Sequence, residues 1–180
     1  MDIVDFFRKA IRLKDVQRTG WVHKGIPHPE SVAHHSWGVA LLALIIPTPP
    51  AVDRERLVAM ALIHDLGEIA IGDWVWEKGA YSDVERQKKK HEHELAFMNN
   101  TLIGEQRELG IEFIEQQTPT AKFLKELDKL DMVFQALEYE KRVPAATLDE
   151  FWENAEKYIT TPSLKEILAT LKLKRTTPSP

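Results

Sequence analysis

His64 and Asp65 stand side by side in AMALIHDLGE, a run that is otherwise mostly apolar. Both side chains lose free energy when buried unless something satisfies them. A structural pair bridging two helices would account for an isolated His-Asp dipeptide. Here, however, Glu68 follows His64 by four residues and Asp65 by three. On a helix those three side chains project within about one third of the circumference. One imidazole and two carboxylates on a single face suit a metal ion and suit a core poorly.

One turn of helix supplies too few ligands for an ion, so other apolar helices should carry an oddly placed His or Asp. SVAHHSWGVALLALII opens with His34 and His35 and is then almost wholly hydrophobic. AKFLKELDKLDMVFQALEYE places Asp128 on the apolar side of an amphipathic helix, beside Leu127 and at helical spacing from Leu124, Leu130 and Phe134. The ordered set His35, His64, Asp65 and Asp128 mixes nitrogen and oxygen, which suits a mid-row divalent ion better than magnesium. An ion held this way keeps one or two positions for water, lowers that water's pKa and polarises a phosphoryl oxygen. Such a site hydrolyses phosphate esters without a protein nucleophile. Glu68, one turn beyond His64 and outside the ligand set, is the expected general base or acid; Asp65 counts as both ligand and catalytic residue. The plainer alternative for Glu68 is a solvated carboxylate at a helix end.

The order of a His, an HD pair and a distant Asp resembles the signature of the HD-domain metal-dependent phosphohydrolases. RTGW at 18–21, PESVAHHS at 29–36, HDLGEIAIGD at 64–73 and KELDKLDMVFQALEYE at 125–140 are similar to the 5′-deoxynucleotidase and HD domain-containing protein 2 branch. The similarity covers most of residues 1–160. It implies an HD-domain helical bundle, one divalent transition-metal ion (cobalt, manganese, nickel, iron or zinc) and hydrolysis of (deoxy)nucleoside 5′-monophosphates to nucleoside and phosphate. In that branch an Arg and a nearby Trp face the nucleotide, which maps onto Arg18 and Trp21, and the Asp of the GD turn, here Asp73, faces the sugar. Some relatives have the Arg and Trp adjacent, whereas Thr19 and Gly20 intervene here. Relatives usually place an acidic residue before the ligand His, where this chain has His34. Two adjacent helical positions point ~100° apart, so both imidazoles cannot easily reach one ion. The VAxHS block points to His35 as the ligand, with His34 behind it or facing substrate; His34 as the ligand is the alternative.

These residues need a scaffold, and the rest of the chain reads as helices joined by short breakers. Ile3, Val4, Phe7, Ala10 and Ile11 make an amphipathic first helix ending near Val16, before a turn containing Gly20. Gly25, Pro27 and Pro29 make His23–Glu30 a loop. Ser31 caps a second helix that stops at PTPP, and Asp53 caps a third that carries the HD pair and closes at Gly72. Ser82 and Glu85 form a capping box for a fourth, running to about Asn100. Further helices are expected from about Glu105, over Pro119–Arg142, from about Asp149, and from Pro162 to about Leu173. Period-2 alternation is nowhere sustained, so the fold class is all-α, one compact domain over 1–173 with a short polar tail at 174–180.

Composition narrows the partners. At 180 residues, 43% hydrophobic and 29% charged, the chain suffices for one sizeable core. The absence of cysteine removes thiolate ligands and nucleophiles and is compatible with a reducing compartment. MDIVDFFRKAIRLKDV lacks a basic segment followed by an apolar one, and VALLALII is shorter than the ~20 residues of a bilayer span, so a soluble, cytoplasmic protein is expected. A net charge of −4 gives no basic field for nucleic acid or an anionic membrane. Lys88, Lys89 and Lys90 fan over ~200° of a helix, as a solvated face does. Apolar residues on several faces suggest a homodimer.

Two other readings stand beside the phosphohydrolase. A dinuclear-iron oxygenase of the HD type would need extra histidines; His91 and His93, two apart on a helix, face ~200° away from each other and cannot share a site. A regulatory domain that binds nucleotide without turnover would be expected if Glu68 or a ligand were missing, and none is. His23 and His28 in the loop could reach substrate but need no special role. Trp37, Trp74, Trp76 and Trp152 are expected as core or interface aromatics.

Overall fold

The computed structural model describes residues 2–71 and 83–176, and Gly72, Asp73, Trp74, Trp76 and Ser82 lie outside them. Side-chain caps at Ser31 and Asp53 start helices where the sequence places them. Asp2 accepts from the Val4 amide at 2.8 Å and opens α1 (Ile3–Ala10), which passes into a 3-10 turn at Ile11–Lys14 instead of running on to Val16. The first loop then contains a helical turn that periodicity did not predict, α2 (Thr19–His23). Ser31 caps α3 (Val32–Ile45), and Asp53 caps α4 (Arg54–Ile63).

Beyond α4 the structure departs from the sequence expectation in an informative way. The helix does not carry the HD pair through to Gly72; it ends at Ile63, and residues 64–67 form a turn before α5 (Glu68–Ile71). The His64 ring Nδ1–H donates to the Ala61 carbonyl at 2.7 Å, the acceptor that the Asp65 amide would use in a continuing helix. Tighter i→i+3 bonds follow, from Leu66 to Ile63 at 3.1 Å and from Glu68 to Asp65 at 3.0 Å. The imidazole thus breaks the helix it terminates.

The remaining helices are α6 (Asp83–Thr101), α7 (Gly104–Glu115), α8 (Pro119–Tyr139), α9 (Asp149–Tyr158) and α10 (Pro162–Thr176). No strand occurs among the described residues, where the only bridge pairs Gln17 with Ser31. The core forms where α3, α4 and α8 meet, with Val39, Ala43, Leu57, Met60, Leu124, Leu127, Leu130 and Val133 all buried. Each of these side chains larger than alanine contributes roughly 1.5–3 kcal/mol by leaving water. α9 and α10 cover the opposite side of α8. Buried Glu126 fastens that layer, accepting from the amides of Thr160 at 3.0 Å and Thr161 at 2.8 Å.

α10 runs past Leu173, through Lys174 and Arg175 to Thr176, the last described residue. Arg175 folds back onto Glu140 at 2.9 Å, pairs with Asp149 and lies over the buried Trp152 ring, contacts that hold the last turn.

Candidate metal centre

Three segments distant in sequence deliver the predicted ligands to one place. α3 contributes His35, the turn after α4 contributes His64 and Asp65, and α8 contributes Asp128. Nε2 of His35, Nε2 of His64 and a carboxylate oxygen of Asp65 lie within 4.8 Å of one another. Asp65 Oδ2 is 3.3 Å from His64 Nε2 and 3.7 Å from His35 Nε2, and Asp128 Oδ1 is 3.2 Å from His35 Nε2. These approaches lack hydrogen-bond geometry: both Nε2 atoms and Asp65 Oδ2 are buried and make no hydrogen bond.

That deficit tests whether the site suits a cation. Leaving one buried polar atom unsatisfied costs about 1–3 kcal/mol, so three converging in one spot would be an expensive way to fill a core. The far ring nitrogens are committed elsewhere. His64 Nδ1 donates to Ala61, and His35 Nδ1 donates to Asp131 Oδ2 at 2.7 Å. In the neutral rings this leaves the Nε2 lone pairs directed into the cluster, the tautomer that ligation requires. Without an ion, the electrostatics place a proton on His35 instead, and a bound cation would have to displace it. Burial and Arg18 act to lower the His35 imidazole, yet Asp128 and Asp131 outweigh them and push it up to about 10. Burial would raise the Asp65 carboxyl, but His64, Arg18 and His35 hold it far below the usual carboxylate range. Burial opposes ionisation of Asp128 too, and Lys125, Lys129 and His35 keep it well below its ordinary value. The cluster draws positive charge, and its donor set fits a mid-row divalent ion.

Glu68 heads α5 and is 1% exposed, so the solvated-carboxylate alternative is set aside. Arg18 immediately precedes α2, with Nη1 3.5 Å from Asp65 Oδ2. Trp21, the residue expected to face a nucleotide, is largely enclosed by protein. It is 2% exposed, its indole N–H donates to Glu30 at 2.9 Å, and its ring packs on Tyr139 and Phe151. It supports the loop that carries Arg18, whose amide donates to the Glu30 carbonyl at 3.0 Å. His34 is exposed and neither backs the ligand nor joins it. Its Nδ1 accepts from the Ser31 amide at 3.1 Å and completes the capping box of α3. His91 and His93 are exposed on α6. Asp73 falls outside the described residues.

Four residues near the site escaped sequence reasoning: Glu30, Lys125, Lys129 and Asp131. Glu30, His35 and Asp131 also offer atoms within 4.8 Å of one another, but His35 faces Asp131 with the nitrogen opposite the ligand nitrogen. That trio therefore orients the ring. Asp131 in turn lies against Gly38, where a Cβ would overlap its Oδ1. Gly38→Ala should therefore push Asp131 off His35 and weaken metal binding by about 10–100-fold, as Asp131→Ala should directly. Chelator competition measures this, and wild-type affinity in both variants would refute the coupling.

The comparisons with known proteins agree with this geometry. The profile of the family described as HD domain matches residues 10–168. The zebrafish (Danio rerio) protein named 5′-deoxynucleotidase HDDC2 is 33% identical, over 97% of this chain and 88% of its own length. The 5′-deoxynucleotidase hdd1 of Schizosaccharomyces pombe is 34% identical, over 79% and 74%. Among solved structures, the PH0347 protein from Pyrococcus horikoshii OT3 superposes with a TM-score of 0.75 at 32% identity, covering 96% of this chain and 99% of that one. With its profile matched across most of its length, its His and HD pair gathered in one cluster and Asp128 set against that His, the chain belongs to the HD domain family.

Proposed function

We propose that this chain is a metal-dependent phosphomonoester hydrolase that converts deoxynucleoside 5′-monophosphates to nucleoside and phosphate. The observation that carries the reading is the convergence of His35, His64 and Asp65 with ligand atoms buried and unsatisfied. Relatives named 5′-deoxynucleotidase that align over most of the chain support the substrate class. His35, His64, Asp65 and Asp128 would hold one divalent ion. When bound, such an ion supplies Lewis acidity toward a phosphoryl oxygen and lowers the pKa of the attacking water.

The chain's own residues do the rest. Glu68, buried one turn after His64, takes the proton from the attacking water and returns one to the departing nucleoside oxygen. Arg18 offers a guanidinium fork to two phosphate oxygens from the side of Asp65. Trp21 keeps that arginine in place through Glu30, and Asp73 serves the sugar. Arg18→Ala should raise KM by about 10-fold or more, as expected for a charge-assisted bond, and equally for purine and pyrimidine monophosphates. Lys should recover little, since a point charge cannot reproduce two parallel bonds. Kinetics on two purine and two pyrimidine substrates decide it, and a loss confined to one base would make Arg18 a base reader.

A homodimer completes the proposal. Trp37, Leu41, Leu44 and Ile45 follow helical spacing on α3 and are exposed, as are Ile3, Val4, Phe7 and Ile11 on and just beyond α1. A helix apolar on all sides is normally covered on all sides, and a second copy would cover these faces. No helix among the described residues is long and apolar enough to cross a membrane, and a nucleotide substrate with a cysteine-free chain suits the cytoplasm. The function is tested by a phosphate-release screen of ribo- and deoxyribonucleoside 5′-monophosphates with cobalt, manganese, nickel, zinc and magnesium supplied separately. Release from deoxynucleotides with a transition metal is expected; no release with any pair would overturn it.

A further inference from the structure

Two lysines of α8 flank the metal ligand Asp128 on the same helical face, four residues apart. Lys125 Nζ lies 3.0 Å and Lys129 Nζ 3.3 Å from Asp128 Oδ2, while the other oxygen, Oδ1, faces His35. Lys129 is largely buried beside the Tyr158 ring. Lys125 stands over Phe113, whose ring meets His64 edge-on. Arg18 approaches the opposite ligand carboxylate, Asp65. Three cations therefore surround a cluster whose two ligand carboxylates would be neutralised by a divalent ion.

Support of Asp128 does not explain this arrangement. One ammonium suffices to fix an oxygen, and a second beside it adds like-charge repulsion. Ammonium groups also withdraw charge from a ligand carboxylate, the opposite of the carboxylate support that Asp131 gives His35. Two such groups on a single ligand oxygen make sense if an anion arrives next to it. We propose that Lys125 and Lys129 bind the substrate phosphate, each turning from Asp128 Oδ2 to a phosphoryl oxygen, and with Arg18 enclose the dianion from both sides of the ion. Their flexible stems allow that exchange, whereas the arginine fork fixes the orientation of the phosphate. This inference rests on the phosphohydrolase reading for the identity of the anion, and on the ion pairs alone for its place.

The test uses cobalt-loaded full-length protein and inorganic phosphate as the probe, with binding followed by calorimetry and metal content measured in parallel. Lys125→Met and Lys129→Met should each weaken phosphate binding by about 10-fold or more, the share of a charge-assisted bond, while keeping the wild-type metal content. Lys129→Arg should recover much of the loss. The same substitutions should leave inhibition by a deoxynucleoside without phosphate unchanged and raise KM for its monophosphate. If Lys129→Met fails to fold, Lys125→Met, the more exposed position, decides the matter. Wild-type phosphate affinity in the folded Met variants would overturn the proposal. So would loss of the ion, which would reduce the lysines to supports of Asp128. Should the wild type bind phosphate in a lysine-dependent way yet hydrolyse no nucleotide, the anion site would stand and the nucleotidase reading would fall.

Discussion

Asp65→Ala and Asp128→Ala are each expected to abolish metal binding and reduce turnover to background, while the far-ultraviolet spectrum stays helical. Asp65 Oδ2 approaches the imidazole nitrogens of both His64 and His35, at 3.3 and 3.7 Å, so its loss opens the cluster. Asp128 Oδ1 approaches His35 Nε2 at 3.2 Å from α8. The two variants should differ in stability. Asp128→Ala removes the counter-charge of Lys125 and of Lys129, whose amine burial already lowers to about 8, whereas Asp65→Ala removes that of Arg18 and of two imidazoles, which can give up a proton where the arginine cannot. Asp128→Ala should therefore melt at the lower temperature when both are compared without metal. Wild-type metal content in both variants would sink the ligand assignment.

Glu68→Gln is the second large effect. The amide keeps the shape of the side chain at its 1% exposed position and removes its ability to take a proton. Metal content should be unchanged and kcat should fall by about 10²-fold or more, the usual share of a positioned acid or base. A pH profile adds a check, because the limb belonging to Glu68 should disappear. Unchanged turnover across the pH range would confine Glu68 to a structural role.

How much of this was legible in the sequence varied with the physics behind each feature. His35, His64, Asp65 and Asp128 were readable because each breaks an apolar pattern, and a buried polar atom is conspicuous against leucines. Caps at Ser31 and Asp53 were readable because capping is local. The break at His64 was hidden, since a side chain that captures a backbone acceptor leaves hydrophobic periodicity untouched. Lys125, Lys129 and Asp131 looked like the polar face of α8, and only the arrival of α3 shows what they meet. Asp131 bonds a ring 96 positions away in the chain. A nucleotide-facing role for Trp21 follows from the family resemblance alone, and no pattern in its own segment announces that the ring is enclosed. Its burial depends on Glu30, Tyr139 and Phe151, none of which its own segment supplies.

On the proposed reading, one divalent ion held by His35, His64, Asp65 and Asp128 makes this chain a phosphohydrolase. The most direct test titrates metal-depleted protein with cobalt while phosphate release from a deoxynucleoside 5′-monophosphate is followed. Activity should rise linearly and level off at one ion per chain. Activity that begins only with a second equivalent, or none at any loading, would contradict the account.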